Sequence, residues 1–309
     1  MPLSPDVEML LQGMAAMGAP PIWQSTVEEA RAGGPMMAAL AGESIPVGSV
    51  ENITIPVGDT SIGARVYTPS GDGPFPIVVF FHGGGWVVCD LDTHDNPCRQ
   101  ICRDASAVVV SIDYRMGPEF RFPTAPNDCY AATQWVAANA ASLNADASRL
   151  AVCGDSAGGN LSAVVTQMAR DNRGPAISFA ALIYPATDMT ALGGSMIENG
   201  EGYFLELKGM EWFMGHYINE DQLSDPLASP LLNEDLMNLP PCFITTCEFD
   251  PLRDQGEAYG DALRANGGTV EMKRYHGLIH GAVNMMGVLA GGAEMVTDIA
   301  ASLKVALHG

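Results

Sequence analysis

Apolar residues follow two different rhythms along this chain. From Glu51 they alternate with polar ones: Ile53, Ile55 and Val57 recur at every second position, and Ile62 to Tyr67 follow the turn signal Gly58-Asp59. A period of two broken by a turn predicts a β-hairpin. Farther on they come as short unbroken runs: Ile77 to Phe81, Ala107 to Ile112, Leu150 to Cys153, Ala180 to Tyr184 and Phe243 to Cys247. Such runs fit strands covered on both faces, as in a parallel sheet with helices on either side. Between them, Asn127 to Asn139 and Ala157 to Arg170 read as helices, and near the end Met295, Ile299 and Leu303 step by four along an amphipathic one. Strands taking turns with helices predict an α/β fold around a mostly parallel central sheet.

Two segments fall outside this alternation. Residues 1–45 are rich in Ala, Met, Gly and Pro, carry helical patches such as Val7 to Met17, and hold no strand-like run. Residues from about 189 to 225 contain Gly193-Gly194 and then a helical aromatic patch of Tyr203, Phe204, Trp212, Phe213 and Tyr217. The second segment is too long for a simple crossover between two strands. Paired with the N-terminal helices, it is expected to form a cap over the C-terminal edge of the sheet.

Composition narrows the function. With 47% hydrophobic and 17% charged residues in 309, the chain can bury a sizeable core. Fifteen basic against 36 acidic residues give a net charge of −21, and only Lys208, Lys273 and Lys304 are lysines. So acidic a surface repels nucleic acid and anionic membranes alike. Seven cysteines (Cys89, Cys98, Cys102, Cys129, Cys153, Cys242, Cys247) form no even framework. Cys98 and Cys102 have helical spacing, but no second pair or nearby histidine completes a zinc site. Reduced, mostly buried thiols point to the cytoplasm. The N-terminus has no basic leader, and no apolar run approaches the roughly 18 residues of a membrane span.

Gly154-Asp155-Ser156-Ala157-Gly158 is a G-x-S-x-G pentapeptide. Alone it is weak, since a serine capping a helix after a glycine turn reads the same way. Its setting adds weight: a predicted strand precedes it and a predicted helix follows, as in a nucleophile elbow. The flanking glycines suit a sharp turn with close backbones, and the helix start supplies unpaired amides and the positive end of a dipole. His82-Gly83-Gly84-Gly85-Trp86 follows the run ending at Phe81. Three glycines in a row are poor strand or helix material, so this loop needs exposed backbone or positive φ. A carbonyl attacked by serine develops an oxyanion that fixed N–H donors must hold. The motif assigns that task to the amides of Gly83 and Gly84, together with Ala157. His82 reads as a hydrogen-bonder that shapes the loop.

A serine hydroxyl is a weak nucleophile and needs a base. Six histidines are available: His82, His94, His216, His276, His280 and His308. One recurrent chain order is Ser, then acid, then His. Asp250 lies just beyond the run ending at Cys247, with Glu248 and Asp254 as rivals. His280, followed by Gly281, sits between a predicted strand (Val270 to Tyr275) and the last helix; His276 is its nearest competitor, and His308 is terminal.

Taken together these motifs resemble the hormone-sensitive-lipase-like family of α/β-hydrolase esterases, in the branch whose elbow reads G-D-S-A-G. The likeness runs from about Pro76 to the C-terminal helix. It includes His82 to Trp86, Asp113-Tyr114-Arg115, Pro118-Glu119, Phe122-Pro123, Tyr184-Pro185, Ser229-Pro230-Leu231, Leu239-Pro240-Pro241, Asp250 to Asp254 and Gly277 to Gly281. The resemblance implies that Asp250 is the catalytic acid and His280 the base beside Ser156. It also implies an α/β-hydrolase domain over 46–309 with a helical cap from residues 1–45 and the 189–225 insertion. The activity implied is hydrolysis of short- to medium-chain carboxylic esters, with no metal or cofactor, and the resemblance suggests a homodimer. Trp86, Asp155, Tyr184, Phe204, Leu205 and Trp212 are the expected pocket residues. Two departures stand out: Met116-Gly117 replaces the usual Leu-Ala, a packing change, and Ala282 stands where the family usually has Phe, which is expected to reshape the pocket.

Amide hydrolysis by the same triad is the nearest rival activity, separable by comparing nitrophenyl esters with anilides. A ligand receptor on this fold is the rival of another class, and such receptors tend to lose a triad member. The charge balance carries its own prediction. Self-repulsion among surface carboxylates is screened by salt, so the melting temperature is expected to rise from low to high ionic strength. A melting curve that is flat or falls with added salt would remove this idea.

Overall fold

The apolar runs form one eight-stranded sheet in a computed structural model that describes residues 2–309. The chain begins with helices α1 (Pro5–Met17), α2 (Val27–Ala32) and α3 (Gly34–Leu40), then enters strands β1 (Ser49–Val57), β2 (Thr60–Thr68) and β3 (Phe75–Phe81). Helix α4 (Asp95–Ala105), β4 (Val108–Asp113), α5 (Thr124–Asn139), β5 (Ala145–Asp155), α6 (Ala157–Asp171) and β6 (Phe179–Ile183) follow. Two helices outside the alternation, α7 (Ser195–Glu198) and α8 (Leu207–Tyr217), precede β7 (Cys242–Phe249), α9 (Arg253–Ala265), β8 (Val270–Ile279) and α10 (Ala290–His308).

The strand order is β1-β2-β4-β3-β5-β6-β7-β8. The predicted hairpin is present: β1 pairs antiparallel with β2 across Gly58-Asp59, placing Ile55 opposite Ile62. β2 is antiparallel to β4, and every later pairing is parallel. Successive residues of the unbroken runs face opposite layers. Ile77, Val79 and Phe81 join the core with α5, α6 and α9, whereas Val78 and Phe80 join the one with α4 and α10. Strands covered on both faces have no polar face to show, so the sequence loses its alternation there. Met295, Ile299 and Leu303 are fully buried, as their spacing predicts.

Helix α4 is absent from the sequence reading. Its buried residues include Cys98, Ile101, Cys102 and Ala105, an apolar stripe at helical spacing, with Arg99, Arg103 and Asp104 off that stripe. That face packs against α10. All seven cysteines are free, and six of them are buried.

The first 45 residues are tied to the sheet domain. Val7 is fully buried, Asp6 accepts from the Ala290 amide at 2.9 Å, and the Ser4 amide donates to Gly277 at 3.0 Å. Arg31 donates to the Val87 and Gly117 carbonyls and pairs with Glu119 at 2.7 Å. The packing change at Gly117 has a visible reason: a Cβ there would come within 2.7 Å of the His216 carbonyl oxygen, so glycine lets the end of α8 approach.

The connection leaving β3 runs to β4 on one side, and the next returns to β5 on the other. In open α/β sheets such a switch leaves a crevice beyond the strand ends where ligands bind. The loops carrying Gly83 and Ser156 meet there.

Asn96, at the start of α4, anchors the link between α3 and β1. Its amide nitrogen lies 2.8–3.0 Å from the carbonyls of Ala41, Gly42 and Glu43, and its oxygen accepts from the Ile45 amide at 3.0 Å. Asn96→Ala leaves these buried or half-buried groups unpaired and is expected to cost about 2 kcal/mol. Urea unfolding checks this, and limited proteolysis is expected to cut within 41–48 first. A variant as stable and as resistant as the wild type would refute the anchoring role.

Candidate active site

The elbow begins with backbone geometry. β5 ends at Asp155, α6 starts at Ala157, and Ser156 between them has φ 57° and ψ −117°, a region unfavourable for a residue with a side chain. The amide of Ser156 donates to Ile183 at 2.8 Å, and its carbonyl accepts from Asn160 at 3.0 Å. Gly158 makes the turn possible, because a Cβ there would collide with the Phe81 carbonyl oxygen. The strain turns the Ser156 hydroxyl outward over the start of α6.

Three distant side chains meet at this point. His280, one residue past β8, places Nε2 2.9 Å from Ser156 Oγ. Its Nδ1 lies 2.8 Å from Asp250 Oδ2. Asp250 is fully buried just past β7, and its Oδ1 accepts from the Leu252 amide at 2.8 Å. The rivals lie elsewhere. Asp254 on α9 pairs with Arg253 and accepts from the Ser195 amide. Glu248 accepts from the Gly277 amide and faces the half-exposed ring of His276. His308 contacts the Ala105 carbonyl.

The glycine loop corrects one expectation. The Gly83 amide donates to Asp155 Oδ1 at 2.9 Å, so it has no free proton for an oxyanion. Gly84 and Gly85 line the cavity beside Ser156, and among the described residues no protein acceptor takes the amide of Gly84, Gly85 or Ala157. The loop turns because Gly84 and Gly85 both have positive φ, 113° and 58°.

Beneath the loop lies a buried polar network. His82 stacks on Tyr114, with ring centroids 4.5 Å apart, and its Nδ1 donates to the Gly83 carbonyl at 2.7 Å. Burial and then the neighbouring His94 push the His82 ring down to about 4, so it is neutral near pH 7. Burial pushes the Asp155 carboxyl up, but His94, the Gly83 amide and His280 outweigh it and hold the group below its ordinary value. Asp155 stays ionised with only 2% exposure. His94 Nε2 lies 3.0 Å from Asp155 Oδ1, and Asn284 reaches the same nitrogen at 2.8 Å. Neither His94 nor Asn284 belongs to a motif that the sequence reading used.

Ser156 and His280 open into a cavity of about 660 Å³. Trp86, Asp155, Phe204 and Leu205 line it as expected. Two others do not. Trp212 turns aside to pack on Phe213 and His216, and Phe213 takes the place in the wall. Tyr184 is buried behind the cavity, its ring 4.6 Å from that of His280. Ala282 is also fully buried outside the lining; Phe204 lies against Gly281 and supplies an aromatic wall instead. Much of the remaining wall is methionine: Met14 and Met37 from the N-terminal helices, and Met189, Met196, Met210 and Met214 from the segment before β7. Among the described residues no cluster of His, Cys, Asp and Glu is arranged to hold a metal, and no helix is long and apolar enough to cross a membrane.

Comparison with known proteins places this geometry among relatives. Residues 78–284 match the family described as alpha/beta hydrolase fold. The carboxylic ester hydrolase LipN of Mycobacterium tuberculosis is 44% identical over 276 residues, covering 87% of this chain and 73% of that protein. The ethyl acetate hydrolase of Pseudomonas putida is 34% identical over 316 residues, covering 98% and 99%. Among solved structures, the hyperthermophilic esterase of the archaeon Pyrobaculum calidifontis superposes with a TM-score of 0.94 at 42% identity, covering 99% of both chains.

The depressed His82 ring generates a pH prediction. The unfolded chain takes up this proton near the ordinary value of 6.5, but the folded one only near 4. Between those values the unfolded state binds more protons, so stability falls as pH falls, by about 3 kcal/mol over the whole window. Asparagine keeps a donor near Nδ1 but has no proton to take up. Urea unfolding at pH 6.5 and 4.5 is therefore expected to show a smaller loss for His82→Asn than for the wild type; equal losses would refute it.

Proposed function

The chain belongs to the α/β-hydrolase fold family, in its hormone-sensitive-lipase-like branch, and from that premise we propose that it is a serine carboxylesterase acting on short- to medium-chain acyl esters. The observation that carries this reading is the continuous line of hydrogen bonds Ser156–His280–Asp250, at 2.9 Å and 2.8 Å, opening into the apolar cavity. The names of the relatives support the same chemistry.

In the proposed reaction Ser156 Oγ attacks the ester carbonyl while His280 Nε2 takes its proton. Asp250 holds the ring in the tautomer that leaves Nε2 free to accept, and stabilises the imidazolium that forms. The carbonyl oxygen becomes an oxyanion, for which we assign the amides of Gly84, Gly85 and Ala157, with Gly85 in the place expected for Gly83. Fixed donors of this kind are worth roughly 3 kcal/mol each to the transition state. His280 then gives its proton to the departing alcohol, and water, activated by the same ring, releases the acid from Ser156. Apart from that water and the substrate, these steps use only protein groups.

The N-terminal helices and the segment holding α7 and α8 serve, in this reading, as the cap that closes the cavity over Ser156. Methionine side chains are flexible and polarizable, so a wall rich in them adapts to acyl groups of different shape. Seven unpaired thiols support a reducing compartment, the cytoplasm.

Ser156→Ala is expected to lower turnover of nitrophenyl esters by about 10⁴-fold or more. Near wild-type turnover would show that another group is the nucleophile. Across acyl chains from acetate to palmitate, kcat/KM is expected to rise until the cavity is filled and then fall. A maximum at the longest chain would overturn the proposed acyl range.

A further inference from the structure

The segment before β7 does more than wall the cavity, because α7 is hydrogen-bonded to the loop that carries Asp250. The Ser195 hydroxyl donates to the Pro251 carbonyl at 2.8 Å and accepts from the Asp254 amide at 3.0 Å, while the Ser195 amide donates to Asp254 Oδ2 at 2.8 Å. One turn on, Asn199 Nδ2 donates to the carbonyls of Glu248 at 3.2 Å and Asp250 at 3.3 Å. Between them Glu198 pairs with Arg253 at 2.8 Å. Ser195 and Asn199 are buried, so losing either side chain leaves backbone groups of the acid loop unpaired.

The Gly193-Gly194 pair explains how a cap helix comes so near. Both residues have positive φ, 100° and 53°, and a Cβ on Gly194 would collide with the Asp254 carboxylate. Larger residues would hold the start of α7 away from the loop.

This contact bears on the proposed chemistry. Asp250 lies past the end of β7, where the ladder with β8 no longer fixes the backbone. Bonds within the loop are local: the Leu252 amide donates to Asp250 Oδ1 at 2.8 Å and the Arg253 amide to the Asp250 carbonyl at 3.2 Å. They shape the turn, but α7 ties Asp250 and Pro251 to a separate part of the chain. We infer that Ser195 and Asn199 are positioning residues for the proposed ester hydrolysis: they hold the backbone around Asp250 so that its carboxylate stays on His280 Nδ1. Neither side chain lines the cavity, although Met196 between them does. The inference rests on the serine-esterase reading and adds to it two groups that act only through the acid.

A double-mutant cycle with Asp250→Asn separates this role from plain packing. Asn199→Ala removes the donor to the Asp250 carbonyl and is expected to lower kcat on a short nitrophenyl ester roughly tenfold to a hundredfold, with KM changed little. Asp250→Asn by itself is expected to lower kcat by about 10⁴-fold. Added to Asp250→Asn, Asn199→Ala is expected to cause no further loss, since no carboxylate is left to place. Wild-type kcat in Asn199→Ala, or the same fold loss in both backgrounds, would overturn the inference; the second result is what a mere loss of folded protein gives. Should Asn199→Ala fail to fold, Ser195→Ala goes through the same cycle, with the same pattern expected and the same two results against it. Ser156→Ala is the control throughout: if it keeps activity, the esterase reading fails; if it is inert while Asn199→Ala turns over normally, only this inference fails.

Discussion

Gly158 sits so close to the Phe81 carbonyl that no side-chain atom fits between them. This contact presses the start of α6 against the end of β3 and forces Ser156, two residues earlier, into its strained conformation. It also brings the glycine loop and the first amide of α6 to the same crevice. The order of the strands makes the contact possible, because β3 and β5 are parallel neighbours whose connections leave in opposite directions. The serine's exposure and the free amides of Gly84, Gly85 and Ala157 all depend on that approach.

The crevice holds buried charge. Asp155 and Asp250 are both buried carboxylates, and each is matched by a histidine: His94 at 3.0 Å and His280 at 2.8 Å. Burying an ion without a partner costs several kcal/mol, so these pairings are conditions for the fold as well as for the proposed chemistry. The two pairs differ in their surroundings. His280 faces the cavity and Ser156, whereas His94 is enclosed and touches only protein. The molecule as a whole carries −21, yet the cavity wall is mostly apolar, so the acidity belongs to the surface.

The cavity is assembled from parts of the chain that share no local signal. Its floor comes from loops at the strand ends, and its walls from helices before β1 and between β6 and β7. Arg31 and Asn96 tie the N-terminal helices to the sheet domain through backbone carbonyls, which fixes their position without a strong apolar stripe.

Much of this was legible in the residues. Unbroken apolar runs predict β3 to β7, the alternation around Gly58-Asp59 predicts the hairpin, and the elbow pentapeptide between a strand and a helix predicts the sharp turn at Ser156. These are local properties, set by the period of the backbone and the conformational freedom of glycine. Order along the chain, with the family resemblance, singled out Asp250 and His280 from rivals that lie apart from Ser156 in the structure. Which glycine amide faces the cavity was not legible: Gly83 and Gly85 are alike as residues, and only the contact with Asp155, 72 positions away, turns the first inward. The same holds for His94 and Asn284, 190 positions apart, and for Trp212, whose helical position does not say which neighbour it packs on. Sequence determines what each segment prefers by itself; the facing of side chains and the pairing of buried charges are decided only when distant segments compete for one crowded, water-poor space.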